Sequence, residues 1–314
     1  MIRRLLMLAL LLLAGPALAE NRAALAPGPH DAVVNQVRLW YRVAGRSSGE
    51  PVVFLHGGPG EGSQSFAALA GPALEPRLRM IYLDQRGSGR SERPWTNAYS
   101  TALLVEDLEQ LRRLWNVPRL ALIGHSFGTV VALEYAARYP DHVGHLILAA
   151  SAPDMPALLE RQCDRLEATD PEAYRRAVAG REAGASARCN SFAAYEGEEQ
   201  HRHIYRNMFP DPATEARVEA ADHANGLRNT GELSGAIFSN GFLAYRFAHP
   251  ERLTMPVLII AGGADYQAVV EPQRALAARL PRGRIVEYPG AGHFMWAEQP
   301  ERFARDVAAF LARP

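Results

Sequence analysis

The stretch 120–131, LALIGHSFGTVV, constrains the fold of this chain more than any other. A short apolar run meets Gly124-His125-Ser126-Phe127-Gly128 and passes into residues with helical periodicity. That is a strand, a sharp turn and a helix, with one serine at the apex. Gly124 and Gly128 flank the serine where strand and helix backbones pass too close for a Cβ. The turn is expected to hold Ser126 in strained backbone geometry and push its hydroxyl out at the carboxyl end of a buried strand. The helix points its first N–H groups and positive dipole end at whatever the serine attacks. By composition alone a G-x-S-x-G match turns up in about one chain in ten of this length, so the flanking strand and helix carry the argument.

The rest of the chain repeats that alternation. Residues 32–43 alternate in strand fashion, 51–55 form a buried strand running into His56-Gly-Gly-Pro-Gly60, and 63–74 read as a helix. The run 79–83 is a strand ending in Asp84-Gln-Arg-Gly-Ser-Gly-Arg-Ser91. A helix over 101–115 carries a stripe at Leu104, Leu108, Leu111 and Leu114. Beyond the central elbow, 143–150, 256–261 and 284–288 are strands, 272–280 and 303–311 helices. Unbroken apolar strands alternating with helices predict an α/β fold, a mostly parallel central sheet with helices on both faces. Ligands of such sheets bind beyond the carboxyl ends of the strands, where all the punctuated loops fall.

Between 151 and 250 the buried-strand runs vanish. Short polar helices broken at Pro156, Pro171, Pro210 and Pro212 suggest an inserted helical cap that roofs the site and selects substrates. The expected organisation is a core domain over 20–150 and 251–314 and a cap over 151–250.

A serine hydroxyl needs a base that takes its proton as it attacks, and the base is a histidine oriented by a buried carboxylate. Among ten histidines, His293 stands out because it follows the last strand in the Gly-rich loop Pro289-Gly-Ala-Gly-His-Phe294. Asp265 ends the preceding strand in a similar loop, and the chain order Ser126, Asp265, His293 suits this topology. The oxyanion needs two fixed N–H donors. One is expected from Phe127, the other from Gly58, with Gly57 as the alternative. His56 and His125 are expected to make structural hydrogen bonds.

The opening residues, MIRRLLMLALLLLAGPALA, place two arginines before an apolar run and a small-residue end. They read as a secretory signal peptide over 1–19, cut near Ala19, which places the protein outside the cytoplasm, with a periplasm as the expected compartment. The apolar stretch is short for a bilayer span, so no stable membrane anchor is expected after cleavage. Cys163 and Cys189 are the only cysteines. In an oxidising compartment they either bridge or lie buried apart. Two cysteines are too few for zinc, and His201 and His203 do not face one way on a helix. Thirty-four basic against 34 acidic residues give no electrostatic case for a nucleic-acid partner. The first turn lacks G-x-G-x-x-G, and neither a cofactor nor a metal is expected.

Taken together, HGGPG at 56–60, DQRGSGRS at 84–91, GHSFG at 124–128, GGAD at 262–265 and GHF at 292–294 resemble the α/β-hydrolase fold, and within it the proline iminopeptidase branch of serine peptidases. The resemblance covers roughly 30–150 and 251–314 and thins in the cap. It implies a Ser-His-Asp aminopeptidase for short peptides, with cap glutamates pairing with the substrate's free N-terminal amine. Ala216-Arg-Val-Glu219 resembles one such stretch, which makes Glu219 a candidate substrate-binding residue. The other reading of the same triad is an esterase, lactonase or amidase acting on small acyl substrates.

Overall fold

The structure, a computed structural model, describes residues 23–45, 49–200, 202–203, 206–224 and 229–313. The signal peptide over 1–19 and His201 lie outside the described residues.

Eight strands form one sheet: β1 Gly28–Val34, β2 Val37–Ala44, β3 Val52–Leu55, β4 Met80–Asp84, β5 Leu120–His125, β6 Val143–Ala149, β7 Val257–Gly262 and β8 Gly283–Tyr288. Their order is β1-β2-β4-β3-β5-β6-β7-β8. From β4 to β8 every pairing is parallel, while β1 and β2 run antiparallel at one edge. The expected sheet is therefore present, with its parallel strands ending on one common edge.

The single strand expected over 32–43 is a hairpin instead. Asn35 and Gln36 turn the chain at φ 46° and 62°, and Val34 pairs with Val37 across the turn. Two successive positive φ values match the right-handed twist of a tight hairpin. No Gly or Pro marks this turn, so the apolar alternation reads straight through it.

Alternation along the strands sorts side chains to the two faces. Val53, Leu55, Leu83 and Leu122 pack with the helices Thr101–Trp115 and Phe127–Arg138. Val52, Phe54, Tyr82 and Ile123 face Phe66, Phe303 and Val307 on the other side. The Thr101–Trp115 helix matches its predicted bounds because both ends are chemically marked. Ser100 accepts the Leu103 N–H, and Asn116 closes the helix at φ 51°. Leu104, Leu108 and Leu111 are buried as the stripe predicts; Leu114 is exposed, one step off the buried face.

The region 151–250 is helical, beginning with the helices Met155–Thr169 and Pro171–Ala179 and followed later by Pro212–His223 and Glu232–Ser239. Three of the four prolines expected to break helices start them instead, Pro210 lying between helices. Pro156, Pro171 and Pro212 sit in first turns, behind the aspartates Asp154, Asp170 and Asp211, each of which accepts a backbone N–H of its helix. A small separate core of Leu166, Ala173, Ala177, Ala194 and Tyr195 surrounds Cys163 and Cys189. These two are disulfide-bonded, with Cα atoms 6.0 Å apart, which settles the alternative left open by the sequence.

Candidate active site

The elbow after β5 is built as its sequence requires. A Cβ on Gly128 would lie 2.1 Å from the Leu55 carbonyl oxygen of β3, and one on Gly124 would lie 2.7 Å from the Gly128 oxygen. Both positions exclude any larger residue. Ser126 between them sits at φ 52°, ψ −122°. This is a backbone conformation that non-glycine residues adopt only when the surroundings force it. Its N–H donates to the Ala149 carbonyl of β6. From 120 to 133 every residue is buried except Ser126, which is half-exposed. The strained turn thus lifts one hydroxyl out of a closed core, directly before the Phe127–Arg138 helix. The Phe127 N–H, first of that helix, lacks an intrahelical acceptor by construction.

His56-Gly-Gly-Pro-Gly60 lies beside this serine, since a Cβ on Gly57 would come within 2.9 Å of the Ser126 Cβ. Gly58 stands at φ 105° before a cis peptide bond to Pro59. His56 is a strut. Its Nδ1–H donates to the Gly57 oxygen at 3.0 Å, and its Nε2 accepts the Gln85 N–H at 3.1 Å. Gln85 returns a side-chain bond to the His56 carbonyl at 3.0 Å. Burial holds the His56 imidazole below its ordinary pKa, despite the nearby Asp84 charge. The Asp84 carboxylate, at the end of β4, accepts from Ser63 N and Oγ and from the Arg90 N–H. The DQRGSGRS loop therefore acts as the bed on which the HGGPG loop rests.

Asp265 and His293 come together from the ends of β7 and β8. His293 Nδ1 donates to Asp265 Oδ2 at 2.8 Å, and both side chains are buried. Asp265 Oδ1 accepts the backbone N–H groups of Gln267 and Ala268 at 2.8 and 2.9 Å, which fixes the carboxylate's orientation. Burial alone would lower the pKa of His293. The Asp265 charge and hydrogen bond, with the charges of Glu61 and Glu298, overcome that and raise it above the ordinary value. His125, next to Ser126, donates from Nε2 to the His293 carbonyl at 3.0 Å, so the Ser126 turn and the His293 loop are directly tied. Burial and the neighbouring His293 keep His125 neutral, well below its usual range.

The helical region contributes backbone support. The Met208 carbonyl accepts the His293 N–H at 2.8 Å, and Phe209 stacks on Phe294 with ring centroids 4.4 Å apart. Asn229 Nδ2 donates to the Pro59 carbonyl at 2.9 Å. Glu219 lies on the Pro212–His223 helix and is half-buried. That helix turns Val218 into the core and brings Asp222 to Ser65, whose N–H it accepts at 3.1 Å. His203 stacks on Tyr195 at 4.2 Å. Glu61 and Asp222 are site residues that the sequence did not single out. A glutamate directly after HGGPG was the only local signal.

A family model described as alpha/beta hydrolase fold matches residues 50–300 of the chain. A proline iminopeptidase of Clostridium botulinum is 30% identical over 290 residues, 88% of this chain and 95% of that protein. A putative 2-succinyl-6-hydroxy-2,4-cyclohexadiene-1-carboxylate synthase of Bacillus subtilis is also 30% identical, covering 86% and 94%. Among solved structures, a proline iminopeptidase-related protein from Thermus thermophilus superposes with a TM-score of 0.72 at 27% identity, over 90% of this chain and 96% of its own.

Proposed function

The chain belongs to the alpha/beta hydrolase fold family, and from that premise we propose that it is a serine hydrolase of the proline iminopeptidase type, releasing N-terminal residues from short peptides. The observation that carries the reading is Ser126, held strained and half-exposed on the sheet edge where His293 meets Asp265 at 2.8 Å. Similarity to a proline iminopeptidase along nearly the whole chain supports the choice of substrate.

In this reading Ser126 Oγ attacks the scissile carbonyl carbon while its proton passes to His293 Nε2. The carbonyl π pair moves to oxygen, and the N–H groups of Phe127 and Gly58, or Gly57, hold the oxyanion. Asp265 orients the imidazole through Nδ1 and stabilises the imidazolium. The proton then goes to the leaving amine, and water repeats the sequence on the acyl-enzyme. Glu219 is the candidate for the substrate amine on the helical side. The reading also takes residues 1–19 as a leader removed on export, and the Cys163–Cys189 bridge supports an oxidising compartment. The N-terminal residue of protein recovered from its native host tests that directly; an intact Met1 overturns it.

The enzyme itself is tested by comparing free-amine aminoacyl p-nitroanilides with p-nitrophenyl esters, with Ser126→Ala as control. Anilide turnover that needs a free amine is the expected result. Fast ester turnover with no anilide cleavage moves the assignment to an esterase, lactonase or amidase on the same residues.

A further inference from the structure

One carboxyl group of the site has no part in that mechanism. Glu61 directly follows the HGGPG loop, and its Oε2 lies 3.3 Å from the point a Gly57 Cβ would occupy. The Ser126 Cβ is 2.9 Å and His125 Nδ1 3.3 Å from the same point. Carboxylate and nucleophile therefore bracket one spot on the loop expected to bind the oxyanion. The main chain of Glu61 is pinned on both sides. Its N–H donates to the Gly57 carbonyl at 3.4 Å, and its carbonyl accepts the Gly89 N–H at 3.2 Å. Among the described residues nothing donates a hydrogen bond to its carboxylate. A half-buried carboxylate with no partner costs stability, and a side chain held there by its backbone on both sides invites a role in the chemistry.

The charges around it can be read off. His293 faces Asp265, Glu61 and Glu298, with the neutral His125 beside it. Glu61 faces His293 and, from the Pro212–His223 helix, Asp222. Asp84 accepts from Ser63 and the Arg90 N–H and faces the Arg90 guanidinium, whose Nη1 lies 3.8 Å from its Oδ2. His56 is buried and neutral.

We propose that Glu61 is a second carboxylate of the catalytic centre, a positioning residue that acts through His293: its charge, added to that of Asp265, stabilises the imidazolium formed as Ser126 gives up its proton. This rests on the triad reading above. Burial and the Asp222 charge push the Glu61 carboxyl up to about 7, against the pull of His293, while His293 is itself raised. With Glu61 near 7 and His293 above its ordinary value, the two groups lose their protons over overlapping ranges, which broadens the activity limb. Asp222 biases the pair from the helical side, because its charge adds to burial in holding Glu61 protonated as His293 loses its proton.

The sign of each perturbation follows. Glu61→Gln removes a negative charge that raises His293, so the imidazole stays neutral to lower pH and the acid limb of activity moves down, by about one pH unit. Asp222→Asn removes the charge that adds to burial in holding Glu61 protonated. Glu61 is then ionised over more of the range in which His293 titrates, and the acid limb moves up, by less. Opposite shifts from two carboxylate-to-amide changes are not what lost packing gives.

The test is the pH dependence of Ser126 inactivation by a fluorophosphonate, which needs no choice of peptide or ester substrate. Wild type, Glu61→Gln and Asp222→Asn are compared as the full-length protein, with circular dichroism as the folding check. The expected result is a broad limb in wild type, one steeper limb at lower pH in Glu61→Gln, and a limb displaced upward in Asp222→Asn. If Glu61→Gln does not fold, the Asp222→Asn shift decides alone. Limbs that coincide with the wild type's, or move the other way, overturn the proposal. A wild-type Ser126 that does not react at any pH overturns the triad reading instead, so the two failures are distinguishable.

Discussion

The sheet edge and the helical region both hold parts of one site, by different means. On the edge, Ser126 has no alternative position. Strand and helix backbones leave no room for a Cβ at Gly124 or Gly128, and the main chain of β3, β5 and β6 surrounds the turn. The helical region touches the site through a few separable bonds, Met208 to His293 and Asn229 to Pro59, and part of it rests on a small core of its own around one disulfide. Geometry enforced by close packing tolerates no substitution and reads plainly in sequence. Geometry enforced by single hydrogen bonds can be altered one contact at a time.

The largest effects should come from the edge. Ser126→Ala is expected to abolish turnover, by about 10⁴-fold or more, with the fold intact. Asp265→Asn should cost about 10⁴-fold in kcat by releasing the imidazole from its orientation. It also removes the charge that raises His293, so the residual activity should persist to lower pH than the wild type's. Steady-state kinetics across pH 5–9 reads both effects. A Gly128→Ala protein that folds and turns over normally would break the comparison at its root, since that methyl group has only the Leu55 carbonyl to occupy.

A middle-sized effect belongs to the helical region alone. The Cys163–Cys189 bridge closes a loop with a sequence separation of 26, and removing it with a double alanine change should cost about 3–4 kcal/mol. Because the small core around it is distinct from the two clusters on the sheet, the loss should appear as early proteolysis between 155 and 200. The sheet domain's melting should change little. Uniform destabilisation of the whole chain would show that the two regions fold as one cooperative unit.

How much of this was legible follows the same division. The elbow, the meeting of the Asp265 and His293 loops, and the parallel sheet were readable because close packing and buried strands leave compositional traces: glycine where a Cβ cannot fit, continuous apolar runs where both faces are covered. The first hairpin was not, since Asn35 and Gln36 turn without glycine or proline. In the helical region the prolines were read as breaks. The aspartates before Pro156, Pro171 and Pro212 were the overlooked sign that a helix begins there. Glu61 and Asp222 were missed because they are 161 positions apart and only the folded chain sets one charge near the other.

The smallest effect separates support from chemistry. Asn229 joins the helical region to the loop expected to bind the oxyanion: Nδ2 donates to the Pro59 carbonyl at 2.9 Å, while Oδ1 accepts the Gly231 N–H at 2.9 Å. The side chain also fills the space beside Gly60, where a Cβ would meet Oδ1 at 2.7 Å. Asn229→Ala removes the Gly231 contact and the one neutral hydrogen bond to the loop; the latter, worth about 1 kcal/mol, should lower kcat about fivefold if the loop must be held to receive the oxyanion. KM for a small ester should stay constant, because such a substrate touches the loop only as the oxyanion forms. A rise in KM with unchanged kcat would instead make Asn229 a substrate contact. The helical region would then touch the ground state rather than steady the machinery of the sheet edge.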